Sequence, residues 1–123
     1  MAALAILLEQ PNATEPTPVE LTIAEVPVSA EFQGRRLHGV IDRLIVTEKE
    51  VQIIDFKSNA TVPETPENCP LGLLRQMGAY SIALAQIYPD HEIRAAILWT
   101  RTARLMWLSQ ELVTNALQQQ SAS

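Results

Sequence analysis

The chain has one cysteine, Cys69, among 123 residues. A lone thiol cannot close an internal disulfide, so nothing points to secretion. It also excludes an iron–sulfur cluster or a zinc knuckle built within this chain, since each needs several ligands. Long apolar runs are lacking too. The longest, Ala2 to Leu8, falls short of the roughly 20 residues that cross a bilayer, and it has no basic flank of the kind a signal peptide carries. Basic residues are missing from the first part of the chain: residues 1–34 hold Glu9, Glu15, Glu20, Glu25 and Glu31 and no Lys or Arg.

All nine basic residues therefore fall from Arg35 onward, where the other nine of the 14 acidic residues balance them. The formal net charge of −5 argues against strong autonomous binding to DNA. The later part is nonetheless neutral, and bound metal would cancel some of its acid. If DNA is the substrate, most of the grip comes from elsewhere. The length corresponds to one domain, and 47% hydrophobic with 19% charged residues is the composition of a folded chain with a real core.

Local patterning predicts the order β-β-β-α-β-β-α. Residues 1–9 have a short helical pattern, and Gln10 to Pro18 reads as a Pro-rich linker. This sets residues 1–18 apart from a domain over 19–120. Leu21 to Val28 alternates as a strand, with Pro27 placing it at an edge. Glu31 to Val46 reads as a second strand, bulged at Gly34 or Gly39. Thr47 to Glu50 is a polar turn, and Val51 to Phe56 is apolar enough for a central strand. The three strands form a meander. Ser58 to Pro70 is a long loop, and Leu71 to Ile87 has helical spacing closed by Pro89-Asp90. Glu92 to Trp99 and Arg104 to Leu108 are strands about a turn, and Ser109 caps a last helix.

One stretch carries chemistry. Asp55 and Lys57 are two apart in a strand and share one face. Asp42 lies in the preceding, pairing strand. Two carboxylates and an ammonium converging on a sheet suit a divalent cation held against a phosphodiester, and are costly to build for structure alone. A hard cation such as Mg²⁺ (or Mn²⁺) takes one or two carboxylates plus water and phosphate. Asp42 and Asp55 supply the carboxylates, the backbone carbonyl of Phe56 is a further ligand, and Glu25 on the neighbouring strand is a candidate to complete the shell. Lys57 would orient the attacking water or stabilise the transition state. Gln76 and Tyr80, four apart, share a helix face that would lie over the site. Taken singly, each of these charges also fits a solvated surface. His38 reads as a polar surface residue, His91 as exposed in a turn, Cys69 as an inert loop thiol, and Arg101 and Arg104 as solvated turn charges. Trp99 and Trp107 read as packing residues.

The ordered blocks Gly-x-Ile-Asp-Arg, Ile-x-Asp-Phe-Lys-Ser-Asn and Arg-Gln-Met-x-x-Tyr resemble the PD-(D/E)xK nuclease superfamily. More narrowly they resemble the C-terminal nuclease domain of AddA/RecB-type ATP-dependent helicase–nucleases, an AddA-like assignment. Glu25 to Val28, Ile97 to Thr100 and Leu105-Met106 extend the likeness, which covers roughly residues 20 to 118. The Asp-x-Lys element alone is weak, whereas the ordered set is fairly specific. The resemblance implies an α/β restriction-endonuclease-like core, a mixed β-sheet flanked by helices. It implies Asp42 and Asp55 as metal ligands, Lys57 as the catalytic lysine, and Gln76 and Tyr80 as the helix motif. It further implies a DNA exonuclease of double-strand-break repair in the bacterial cytoplasm. That enzyme hydrolyses single strands delivered by an ATP-dependent helicase region of the same polypeptide, beside an AddB-like partner subunit. ATP would enter only through that helicase region.

Two departures stand out. The upstream metal-binding His of such domains has no counterpart in residues 1–24, and no Gly-x-x-x-x-Gly-Lys loop occurs anywhere. The chain is therefore expected to be a nuclease domain excised from a longer polypeptide. The competing expectation is a catalytically silent scaffold of the same fold that contacts a partner subunit or DNA. A stand-alone nuclease is a third, weaker reading.

Overall fold

The computed structural model describes residues 19–122; the helix and linker expected over 1–18 lie outside them. Five strands form one sheet in the order β1-β2-β3-β4-β5: β1 (Val19–Phe32), β2 (Arg35–Thr47), β3 (Glu50–Lys57), β4 (Glu92–Trp99) and β5 (Arg104–Leu108). Helix α1 (Leu71–Ile87) joins β3 to β4, and α2 (Gln110–Ala122) follows β5. The first three strands are an antiparallel meander. Strands β3 and β4 are parallel, as a helical crossover permits, and β5 returns antiparallel to β4. The sheet is thus mixed, with the apolar β3 at its centre. This is the α/β, restriction-endonuclease-like core expected.

The boundaries read from the sequence hold for α1, β4 and β5, and fail at the first hairpin. The second strand begins at Arg35, not Glu31, because β1 runs on to Phe32. Gln33 and Gly34 have φ of 51° and 78°, the two positive values of a type I′ two-residue turn. Gly34 is therefore a turn glycine, not a bulge. Gly39 serves a different end, closeness to α1.

Strand β1 departs from ideal geometry at Glu25, whose φ is 54°. Register is kept on either side, with Ala24 opposite Arg43 and Val26 opposite Ile41, so Glu25 faces Asp42. The face presented to the core changes there. Ile23 packs on the core before Glu25, and Val26 and Val28 after it; on β2 the sequence is Ile41, then Leu44 and Val46. A residue in the left-handed region breaks the two-residue alternation, and the paired strand changes face with it.

Both described helices cover one face of the sheet. Leu74, Met77, Tyr80, Ala83 and Leu84 of α1, with Val113 and Ala116 of α2, join Val51, Ile53, Ala95, Ile97, Trp99, Met106 and Leu108 in the main core. A Cβ on Gly78 would collide with the Val113 carbonyl oxygen, so that glycine sets the close α1–α2 crossing. Arg75 Nε donates to Ala116 O at 3.2 Å and ties the same pair. The other face carries a smaller apolar set, Ile45, Ile54, Ala96 and Leu98 beside Phe56, Leu105 and Trp107. There Arg94 stacks 4.0 Å from the Trp107 ring centre.

Capping follows local chemistry. Ser109 Oγ accepts from Leu112 N at 3.1 Å, as an N-cap serine does. Thr47 Oγ1 accepts from Glu50 N at 2.9 Å and closes the β2–β3 turn. One side chain differs from expectation. His91 is half-buried, its Nε2 lying 3.1 Å from Thr47 O and its ring edge-on to Tyr88. Arg104, exposed as expected, donates to Glu64 O at 2.8 Å and so ties the long loop to the start of β5. Cys69 is buried against Met106, with Sγ and Sδ 3.7 Å apart. Burial, then the charge of Glu67, pushes its thiol pKa up, which agrees with an inert role.

Candidate active site

The site forms where β2 and β3 part. Their ladder runs from Val46 opposite Val51 to Arg43 opposite Ile54. The next residues are Asp42 and Asp55. Here β2 continues along β1 while β3 nears its end. The freed Phe56 N–H is taken up by the Asp42 side chain, Oδ2 accepting at 2.8 Å. One carboxylate oxygen thus replaces a ladder carbonyl, and the carboxylate is anchored at the fork.

Asp55 is on the helix-side face of β3, two residues beyond Ile53, and is only 4% exposed. Lys57 shares that face. Its Nζ lies 3.2 Å from Asp55 Oδ2, and its side chain is 34% exposed. The ammonium therefore reaches from a buried carboxylate toward solvent. Asp55 Oδ2 is sealed from solvent with no well-directed hydrogen bond, so the ion pair satisfies it in charge but not in geometry. Burial is the largest influence on Asp55. It overcomes the opposing pull of Lys57, and with help from the nearby Asp42 carboxyl raises the pKa from 3.8 to about 6. Two adjacent carboxyls served by one ammonium leave the ionised pair incompletely compensated.

Helix α1 delivers Tyr80 to β2. The Tyr80 hydroxyl donates to Val40 O at 2.9 Å and accepts from Gln76 Nε2 at 2.7 Å. Tyr80 is buried, whereas Gln76 is exposed. A Cβ on Gly39 would fall 2.5 Å from the Tyr80 ring, so the missing side chain is what lets the phenol reach β2. Burial raises the Tyr80 pKa, and the charges of Asp55 and Asp42 add to that rise. The phenol is therefore a neutral strut within the field of both carboxylates. Its hydroxyl is engaged with the β2 backbone two residues before Asp42.

The structure thus brings together Asp42, Asp55 and Lys57, with Tyr80 and Gln76 bracing the adjoining stretch of β2. Glu25, although opposite Asp42 in register, is exposed. Among the described residues no three His, Cys, Asp or Glu side chains form a metal-binding group, so Glu25 does not complete one with the two aspartates. The donor set still fits a hard divalent cation, which commonly takes two carboxylates and leaves its other positions to backbone, water and phosphate. Sequence reasoning missed the brace at Val40 and the role of Gly39. The Gly39-to-Asp42 spacing was visible, but its meaning depends on a helix some 40 residues away.

A mixed five-stranded sheet with its acidic pair and lysine at the end of the central strand defines a restriction-endonuclease-like domain. A family model described as the PD-(D/E)XK nuclease superfamily matches residues 1–122, and the chain belongs to that superfamily. No curated protein matches it. Among solved structures it is similar to one described as "Crystal structure of SSO0001", at 10% identity and a TM-score of 0.45; the match covers 79% of this chain and 48% of that one. The chain thus spans about half the length of that structure. Among the described residues no helix is long and apolar enough to cross a membrane.

Proposed function

We propose that this chain is the metal-dependent nuclease domain of an AddA/RecB-type helicase–nuclease. In this reading it hydrolyses phosphodiester bonds of DNA single strands exonucleolytically during double-strand-break repair in the bacterial cytoplasm. The strands would be supplied by an ATP-driven helicase region of the same polypeptide working with an AddB-like partner subunit. The superfamily supports hydrolysis of a phosphodiester, and the order of the motif blocks supports the narrower placement. The observation that carries the reading is the β2–β3 fork, where Asp42, Asp55 and Lys57 meet.

Asp42, Asp55 and the Phe56 carbonyl would hold Mg²⁺ or Mn²⁺. When bound, such a cation lowers the pKa of a water and neutralises charge developing on the phosphate. Asp42 is held by the Phe56 N–H beside Asp55, so its carboxylate needs little reorganisation. Asp55 is kept from water, which strengthens any interaction made there. Lys57, one-third exposed, is placed to donate to a phosphate oxygen or to orient the attacking water. Tyr80 and Gln76 act as positioning residues, fixing Val40 and through it the approach of β2 to Asp42.

The test is cleavage of end-labelled single-stranded and duplex DNA with and without Mg²⁺ or Mn²⁺, beside a calorimetric cation titration. The parent chain is expected to cut single strands only with cation, and Asp55→Asn and Lys57→Ala to lose cutting while staying folded. Equal cutting by those variants would overturn the site. Folded parent protein with no saturable cation binding dependent on Asp42 and Asp55 would favour the scaffold reading.

A further inference from the structure

Between the start of β2 and the exposed side of α1 lies a cleft of about 360 Å³, lined by Arg36, Leu37, His38, Arg75, Gln76 and Tyr80 among others, and no carboxylate is among the described residues that line it. In a chain of net charge −5 with only nine basic residues, two guanidiniums, an imidazole and an amide gather hydrogen-bond donors around one cleft, with Glu31 paired to Arg36 at its edge. Such a lining suits phosphate. The stem of Arg75 is fixed by its Nε bond to Ala116 O, so its guanidinium loses little freedom on binding. Arg36 is held loosely by Glu31 at 3.5 Å and by Ser29 Oγ at 3.3 Å, all on the surface, and an exposed ion pair of this kind is weak enough to exchange for a phosphate.

The cleft and the carboxylate site share strand β2 and helix α1. The inner wall of the cleft is Tyr80, which is bonded to Val40, and along β2 it is about 20 Å from Arg36 to Asp42 at 3.3 Å per residue. We propose that this cleft is the track along which the sugar–phosphate backbone of one DNA strand reaches Asp42 and Asp55, with Arg36 and Arg75 holding phosphates on the way. The inference rests on the nuclease reading and adds the path and polarity of charge that the fork alone does not provide. A single strand, whose backbone can bend into a cleft of this volume, is the occupant the proposal commits to.

The experiment is fluorescence anisotropy of a short fluorescein-labelled oligothymidylate with the whole chain at low salt in EDTA, so that binding is read without cleavage. Saturable binding is expected, with a single strand competing and a blunt duplex failing to compete. Arg36→Gln with Arg75→Gln should weaken binding severalfold and lower the slope of log affinity against log salt by about 0.7 for each guanidinium removed. Glu31→Gln, which releases Arg36, should tighten it. Lys49→Gln should change nothing, since the turn after Thr47 is about 36 Å from Arg36 along β2. Because Arg75 also braces α2, Arg36→Gln alone carries the test if the double variant melts early. An unchanged affinity and salt slope in the Arg36 variant, absence of binding by the parent, or equal competition by duplex would each overturn the track. Arginine-dependent binding without cation-dependent cleavage would instead overturn the catalytic reading and leave the track standing.

Discussion

Replacing Asp55 by Asn should make the cation-free protein more stable while abolishing its chemistry. In the folded chain the Asp55 carboxyl titrates near 6 against 3.8 in its ordinary state, with burial as the first cause. A shift of this size corresponds to about 3 kcal/mol at most, at 1.36 kcal/mol per unit. The sign is set by which state holds the proton more tightly. Here it is the folded state, so Asp55 favours folding below pH ~4, and that contribution is lost as pH rises through 6. At pH 8 the ionised, buried Asp55 is thus a liability that Asn removes. That shift already includes the opposing pull of Lys57, and burying an amide in the same place offsets part of the gain. The net expectation is a gain of about 2 kcal/mol, or roughly 8 °C in Tm for a domain of this size. Thermal melts in EDTA at pH 8 and pH 4.5 measure it: a large gain at the higher pH that shrinks at the lower. In saturating Mg²⁺ the order should reverse, since cation at about 100 times Kd stabilises the parent by about 2.7 kcal/mol and the variant not at all. An Asn variant less stable than the parent at pH 8 without cation would refute the reasoning.

Other substitutions separate the roles of neighbouring residues. Asp42→Ala removes the acceptor for Phe56 N–H and should destabilise by about 1.5–3 kcal/mol, the opposite sign to Asp55→Asn. Asp42→Asn, whose amide oxygen still accepts, should retain most stability in denaturant melts yet lose cation binding. Gly39→Ala drives a Cβ into the Tyr80 ring and should cost about 1–3 kcal/mol, most of it recovered if Tyr80 is also truncated to Leu; a double-mutant cycle reads this. Gly78→Ala, a helix-favouring change by propensity, should nevertheless lower Tm, because the added methyl meets the Val113 carbonyl.

The elements most legible in the sequence are those whose signals are local. Leu74, Met77, Ser81 and Leu84 set the helical stripe of α1. Pro89 and the apolar run Ala95 to Trp99 bracket β4. Asp55 and Lys57 two apart are on one face of any strand. The first hairpin was misplaced because Gly34 and Gly39 look alike in sequence. One meets the demand of a tight turn for positive φ, and the other makes room for a phenol. The face change at Glu25 was invisible for a related reason. A non-glycine residue in the left-handed region has no compositional mark, and its partner Asp42 responds to it across the strand pair.

Periodicity and motif order by themselves determined the class of fold, the central strand and the carboxylate–lysine pair, because such features are written within a few residues of backbone geometry. Tertiary structure alone decided that β2 leaves β3 at Asp42 and that a carboxylate replaces a carbonyl in the ladder. It also decided that Tyr80 engages Val40, and that Arg36 and Arg75 border one cleft. These outcomes depend on where strands stop pairing and how closely a helix approaches a sheet. Both are set by contacts between segments tens of residues apart, and no local pattern encodes them.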